Sequence, residues 1–298
     1  MNEAIVTKGL VKRYGAGRAL DGFTLAVPLG ATLGLVGRNG AGKTTWMMTV
    51  AGFVRPDAGE INILGCGPFD ADLHAGKLSI LPQDSELPLE ACPRELLVRY
   101  ARLQGLAKAA AEKAADELLA AFNLKDKARS AIRSLSHGMR KRVTVAQAFI
   151  GEPQVVLLDE PLSGLDPEEA DRMRSFIRAR RGRTTLVISS HQLDDIEKLC
   201  THVAFVEAGK VGRMETLSAL TAASGRVVYA LARAPEGVHA EGCELSWNEA
   251  KGELAVDYAA ERAVEDVNAQ LLPLLLPFGV RSVVAGRSLE EVYLNKTR

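Results

Sequence analysis

Apolar runs of four or five residues recur along the chain at 32–36, 78–81, 155–158, 185–188 and 203–206, separated by longer segments with helical apolar spacing. Runs this short and this continuous predict strands buried on both faces, so the rhythm implies a largely buried sheet with helices against it. Between Arg94 and Ile150 the strand signals vanish and helical ones replace them, including the Ala-, Glu- and Lys-rich stretch 107–122. A helical subdomain inserted at about 86–150 is expected there. Beyond Met214 the pattern changes again, with strands predicted at 227–232, 254–258 and 280–285 and a helical stretch within 263–276. The expected organisation is a main domain over 1–216 and a small α+β domain over 217–298.

Composition narrows the class. At 298 residues the chain can bury a large core, and 47% hydrophobic with 25% charged residues are ordinary soluble-globular values that suggest neither a disordered nor a fibrous chain. The 37 basic and 37 acidic residues cancel, so no global field draws the protein to nucleic acid or anionic lipid. The cysteines Cys66, Cys92, Cys200 and Cys243 are scattered with no C-x-x-C pair, which argues against zinc and against a secreted disulfide framework. No signal peptide is read at the N-terminus. The apolar stretch 271–280 is too short to span a bilayer and contains Pro273 and Pro277.

The candidate chemistry begins where the 32–36 strand meets Gly37-Arg38-Asn39-Gly40-Ala41-Gly42-Lys43-Thr44, followed by helix-compatible Thr45-Trp46-Met47-Met48. Glycines let such a loop curl its N–H groups inward onto phosphate oxygens, and the following helix N-terminus adds partial positive charge. In this P-loop pattern Lys43 reaches the β- and γ-phosphates and the Thr44 hydroxyl ligates Mg²⁺. The strand 155–158 delivers Asp159 and Glu160 to the carboxyl edge of the sheet, where open α/β sheets bind ligands. Two carboxylates there divide the labour: Asp159 for hydrated Mg²⁺, Glu160 to orient the attacking water and accept its proton. The competing reading, an acidic pair capping a helix that starts near Pro167, fits the apolar run less well.

With Leu135-Ser136-His137-Gly138-Met139 added, the sequence resembles the nucleotide-binding subunits of ABC transporters up to about Leu217. That segment is the most diagnostic, because many P-loop families share the other two motifs. The resemblance implies a P-loop NTPase fold of the ABC ATPase type, with an inserted α-helical subdomain and a small C-terminal α+β domain. It also implies ATP and Mg²⁺ as ligands. Gln83 falls at the Q-loop glutamine, which links Mg²⁺ to the membrane partner. Ser163-Gly164-Leu165-Asp166 resembles the D-loop, His191 the switch histidine at the γ-phosphate, and Tyr14 the aromatic that stacks on adenine. Bland alternatives exist for each: a surface loop for Gln83, a helix cap for Asp166, a helix N-terminal residue for His191.

Ser136 and the N–H groups near Gly138 precede a helical run expected at 139–150, whose N-terminus can hold an anion. In the family that anion is the γ-phosphate bound by the opposite subunit, which implies a head-to-tail homodimer. His137 and Met139 depart from the family's Leu-Ser-Gly-Gly-Gln. A non-glycine at 137 would restrict a positive φ, and Met139 removes a polar side chain. Arg140, Lys141 and Arg142 read as a solvated face rather than a nucleic-acid patch, and no nucleic acid is expected. The last segment, 288–294, resembles the ending of ABC-2-type exporter ATPases, with Leu289, Val292 and Tyr293 at helical spacing. The reading is therefore an ATPase subunit, peripheral on the cytoplasmic face of the membrane through integral permease subunits, and powering export. The rival is a soluble ABC-type ATPase acting on ribosome or DNA. Such relatives carry two cassettes or a long coiled coil, and neither feature is present. A nucleotide kinase would not need residues 135–139 or His191, and a silent regulatory subunit would not need Glu160.

Overall fold

The computed structural model describes residues 3–222, 225–259, 262–286 and 289. All of the 288–294 segment except Leu289 lies outside them. The chain divides into two compact units, Met1–Met214 and Glu215–Arg298.

The first unit opens with β1 (Glu3–Tyr14), β2 (Gly17–Pro28), β3 (Thr32–Val36), α1 (Lys43–Val50), β4 (Ala58–Ile63), α2 (Ala71–His74) and β5 (Leu78–Leu81). Then come the helices α3 (Pro93–Leu103), α4 (Lys108–Ala121) and α5 (His137–Ala148), and after them β6 (Val155–Asp159), α6 (Pro167–Arg178), β7 (Thr185–Ser190), α7 (Leu193–Leu199), β8 (His202–Glu207) and β9 (Lys210–Thr216).

The apolar runs become the main sheet, ordered β5-β6-β7-β3-β8-β9. From β5 to β8 the pairings are parallel. Every residue of β3, β6 and β7 is buried, which is why these strands read as unbroken apolar runs. Parallel pairing also fixes the site, because the loops after β3, β5, β6 and β7 all leave from one edge.

A second sheet, β2-β1-β4, is antiparallel. Helix α1 is only eight residues long, too short to be stable alone. It is held because Trp46, Met47 and Val50 share one buried cluster with Ile5 and Phe23 of the antiparallel sheet and with Leu33 and Leu157 of the parallel one. Trp46 stacks on Phe23 at 5.7 Å, and its indole N–H donates to Thr7 Oγ1 at 3.2 Å.

The stretch between β5 and β6 is helical, and α3 packs on α4. Helix α5 starts at His137, two residues earlier than the 139–150 expectation, because Ser136 is its N-cap.

The second unit contains α8 (Leu217–Ala222), β10 (Arg226–Leu231), β11 (Cys243–Asn248), β12 (Glu253–Tyr258), α9 (Val264–Leu275) and β13 (Val280–Ala285). Its strands form an antiparallel sheet, ordered β11-β12-β10-β13. Alternate residues Val227, Tyr229 and Leu231 are buried with Val267, Leu271 and Leu275 of α9, the period-two and helical patterns meeting in one core. Among the described residues no helix is long and apolar enough to cross a membrane.

Candidate active site

The loop after β3 turns on glycines that nothing larger could replace. Gly42 has φ 110°, and a Cβ there would come 2.5 Å from the Ala19 carbonyl oxygen; one on Gly37 would come 2.2 Å from that of Val206. The first turn of α1 begins at once, with no side chain capping it, so its leading N–H groups are left for a ligand. The Lys43 side chain is buried and folds back on the loop, donating to the carbonyls of Gly37 at 2.6 Å and Arg38 at 3.2 Å. Burial pushes its ammonium below the ordinary lysine pKa, while the Glu160 and Asp159 carboxylates oppose that shift. Arg38, Asn39, Gly40 and Thr44 are exposed, Thr45 is half-buried and Ala41 is buried.

Asp159 ends β6 and Glu160 follows it, both buried. Asp159 pairs in register with Ser189 of β7, whose hydroxyl donates to Asp159 Oδ1 in a short hydrogen bond. Oδ2 is buried and has no hydrogen-bond partner among the described residues. Glu160 takes the left-handed backbone conformation, φ 50°, an unfavourable region for a residue with a Cβ and one concentrated at functional sites. Its N–H donates to Ser189 Oγ at 3.1 Å, and its Oε2 lies 2.9 Å from His191 Nδ1.

A cleft of about 570 Å³ joins the Gln83 loop, Glu160, Ser163 and Gly164 to one face of α5, presenting His137, Arg140 and Lys141. The Lys141 ammonium is pushed down by burial, against the carboxylates of Glu160, Asp159 and Asp84. The structure thus brings Gln83, Glu160 and His191 together at the edge that carries the P-loop. Ser136 and Gly138 make no hydrogen bond to the P-loop among the described residues. Tyr14 is exposed at the end of β1, with Lys12 Nζ 5.7 Å from its ring centre.

Two expectations change. His137 occupies the first turn of α5 with no positive φ, so its side chain carries no backbone penalty. Arg140-Lys141-Arg142 is not one solvated face: Arg142 is buried, pairs with Glu169 at 3.0 Å and donates to the Phe122 carbonyl at 2.9 Å. Successive helical residues point about 100° apart, so one of three must turn inward. Asp166 does cap α6, accepting from the Glu169 N–H at 2.9 Å. Sequence reasoning passed over Ser189, whose signal was a hydroxyl at the end of a buried apolar strand.

The ABC transporter family model matches residues 20–163. The chain is 38% identical over 227 residues to the daunorubicin resistance ATP-binding protein of Streptomyces coeruleorubidus, covering 74% of this chain and 71% of that one. The chain is an ATP-binding subunit of the ABC transporter family. It is 36% identical to the Nod factor export ATP-binding protein I of Rhizobium meliloti over 69% of this chain and 62% of that one. Among solved structures, an ATP-binding subunit of an ABC transporter superposes with TM-score 0.66 at 27% identity, covering 73% of this chain and 91% of the other. A nucleotide-free ATP-binding cassette gives TM-score 0.62 at 23% identity over 72% and 91%, a likeness of fold. As a member of this family the chain is an ATPase whose nucleotide is ATP.

Proposed function

We propose that this ABC ATPase powers export by a separate membrane permease, two copies closing head to tail around ATP and reopening after hydrolysis. The observation that carries the hydrolytic part is the Asp159–Glu160 pair: one carboxylate oxygen buried without a partner among the described residues, the next carboxylate bonded to His191. Thr44, Gln83 and Asp159 would hold Mg²⁺. All three offer oxygen donors, as that ion demands, and the orphaned Asp159 Oδ2 fits a cation. When bound, Mg²⁺ supplies charge neutralisation on the β- and γ-phosphate oxygens. The N–H groups of residues 37–45 cradle the phosphates, Lys43 swings from the Gly37 and Arg38 carbonyls to the β- and γ-oxygens, and Tyr14 stacks on adenine. Glu160 orients a water whose oxygen bonds to the γ-phosphorus as the bond to the β,γ-bridging oxygen breaks. The water's proton passes to the Glu160 carboxylate. His191 holds that carboxylate in place and contacts the γ-phosphate, while Ser136 and Gly138 of the second copy close the site from the other side.

Export is supported by the relatives, which are a drug-resistance and a Nod factor export ATP-binding protein. A permease partner places the subunit at the cytoplasmic face of the membrane. Support for such a partner comes from a groove of about 300 Å³ lined by Phe69, Tyr100 and Leu103, with Leu103 77% exposed. The balanced charge gives no reason to invoke nucleic acid.

One preparation tests the reading. Tagged Glu160→Gln protein, extracted with ATP from detergent-solubilised membranes, should retain ATP, hydrolyse it poorly, run as an ATP-dependent dimer and bring a multi-span permease with it. Near-normal turnover would remove Glu160 as the base, and recovery of ribosomal or chromosomal partners in place of a permease would favour the soluble rival.

A further inference from the structure

The Ser189 hydroxyl is fully buried at the carboxyl end of β7, and it bonds on both its donor and its acceptor side. A serine hydroxyl has one donor and two acceptor positions. Here the donor goes to Asp159 Oδ1, and the oxygen accepts from the Glu160 N–H at 3.1 Å. The same N–H lies 3.3 Å from the Ser189 carbonyl oxygen. One side chain therefore touches both carboxylate residues, because parallel pairing sets Ser189 level with Asp159. The bond to Oδ1 fixes the Asp159 carboxylate and leaves Oδ2 buried and, among the described residues, without a partner. The bond to the Glu160 N–H holds the peptide at which the chain enters the left-handed conformation and swings the Glu160 side chain onto His191.

We propose that Ser189 is a positioning residue for ATP hydrolysis, orienting the Asp159 carboxylate toward the metal and the Glu160 side chain toward the attacking water. This rests on the reading of Asp159 and Glu160 given above. A purely structural serine would satisfy two buried polar groups and nothing more. Its loss would lower stability and scale down every activity alike. A positioning serine has a different signature. Losing it disorders a carboxylate that acts mainly through the metal and a base that acts in the transition state, so kcat falls while nucleotide binding without metal persists.

The experiment uses the full chain with Ser189→Ala, Ser189→Thr and Ser189→Val. Thr and Val have nearly equal volume and differ in the hydroxyl, so the pair separates the hydrogen bonds from the packing. Steady-state hydrolysis, affinity for a fluorescent ATP analogue with and without Mg²⁺, and thermal unfolding are measured. For Ala and Val we expect kcat to fall by about 10- to 100-fold, with KM and metal-free affinity changed by less than about threefold. The Mg²⁺-dependent gain in analogue affinity should shrink about tenfold, a readout that needs no turnover. Thr should restore both. The proposal is overturned if Ala keeps kcat and the Mg²⁺ gain within about twofold of the parent, if Thr and Val behave alike, or if kcat, metal-free affinity and unfolding temperature fall together. Should Glu160→Gln itself turn over normally, the reading of the carboxylates fails; a normal Ser189→Ala beside an inactive Glu160→Gln removes only the Ser189 assignment.

Discussion

Glu160 sits at φ 50°, where a side chain is disfavoured, and this makes a comparison of two substitutions sharper than either alone. Glu160→Ala and Glu160→Gly both remove the carboxylate and its bond to His191, so the difference between them reports on the backbone. At ordinary positions alanine is the more stable of the two by about 0.5–1 kcal/mol, because glycine loses more conformational freedom on folding. The left-handed conformation costs a residue with a Cβ about 1–2 kcal/mol that glycine does not incur. Residue 160 lines the cleft, so a methyl group there gains little packing. The balance favours glycine by about 0.5–1 kcal/mol, the reverse of the usual sign. With a urea slope of about 3 kcal/mol/M, Glu160→Gly should unfold about 0.2–0.3 M later than Glu160→Ala. The chain has two tryptophans, so a Trp247→Phe background leaves the buried Trp46 as the fluorescent reporter of the first unit. An alanine variant more stable than the glycine variant by about 0.5 kcal/mol or more would refute the claim that Glu160 is held under strain.

Two further outcomes follow from burial and from the division of the chain. Burial raises the Cys200 thiol well above the ordinary cysteine pKa, whereas Cys66 is exposed. Timed alkylation of the native protein at pH 8, read by peptide mass spectrometry, should label Cys66 first and Cys200 only on unfolding; early labelling of Cys200 would contradict the packing around it. We read residues 217–298 as an accessory domain that assists dimerisation. A chain truncated after Thr216 should hydrolyse ATP per site at a rate within about threefold of the parent while its ATP-dependent dimer in light scattering dissociates more readily. Unchanged dimerisation would argue against that role.

The parallel sheet was legible because burial on both faces removes polar positions from its strands, as in β3, β6 and β7. The antiparallel sheet was not. In β1 the alternation is broken at Gly9, φ 60°, where the register slips between Thr7 and Leu10, so neither a period of two nor a continuous run survives. Lys43, Asp159 and Glu160 could be singled out because each sits in a motif defined by local spacing along the chain, and His191 because the family resemblance marks its position. Ser189 bonds to residues 29 and 30 positions away by virtue of strand register, and no local spacing announces those contacts. Arg142 was misread for a related reason: a run of three charges suggests solvent, while the helix turns one of them onto Glu169.

The departures at His137 and Met139 can be weighed by which atoms the segment uses. Ser136 caps α5 by accepting the Met139 N–H at 3.1 Å, a bond to the backbone that survives any side chain at position 139 except proline. Its own hydroxyl proton is donated to no group among the described residues, and it is the proton the proposed partner phosphate would take. An aspartate would cap the helix equally well, yet it has no proton to give and would repel that phosphate. His137 lies in the first helical turn, where its φ costs nothing and its N–H still points out of the helix end. Gly138 is different in kind. A Cβ there would come 2.0 Å from Glu169 Oε2, and Glu169 is the partner of buried Arg142. Any side chain at 138 has to displace the carboxylate that neutralises Arg142, so the segment tolerates change on either side of Gly138 and resists it there.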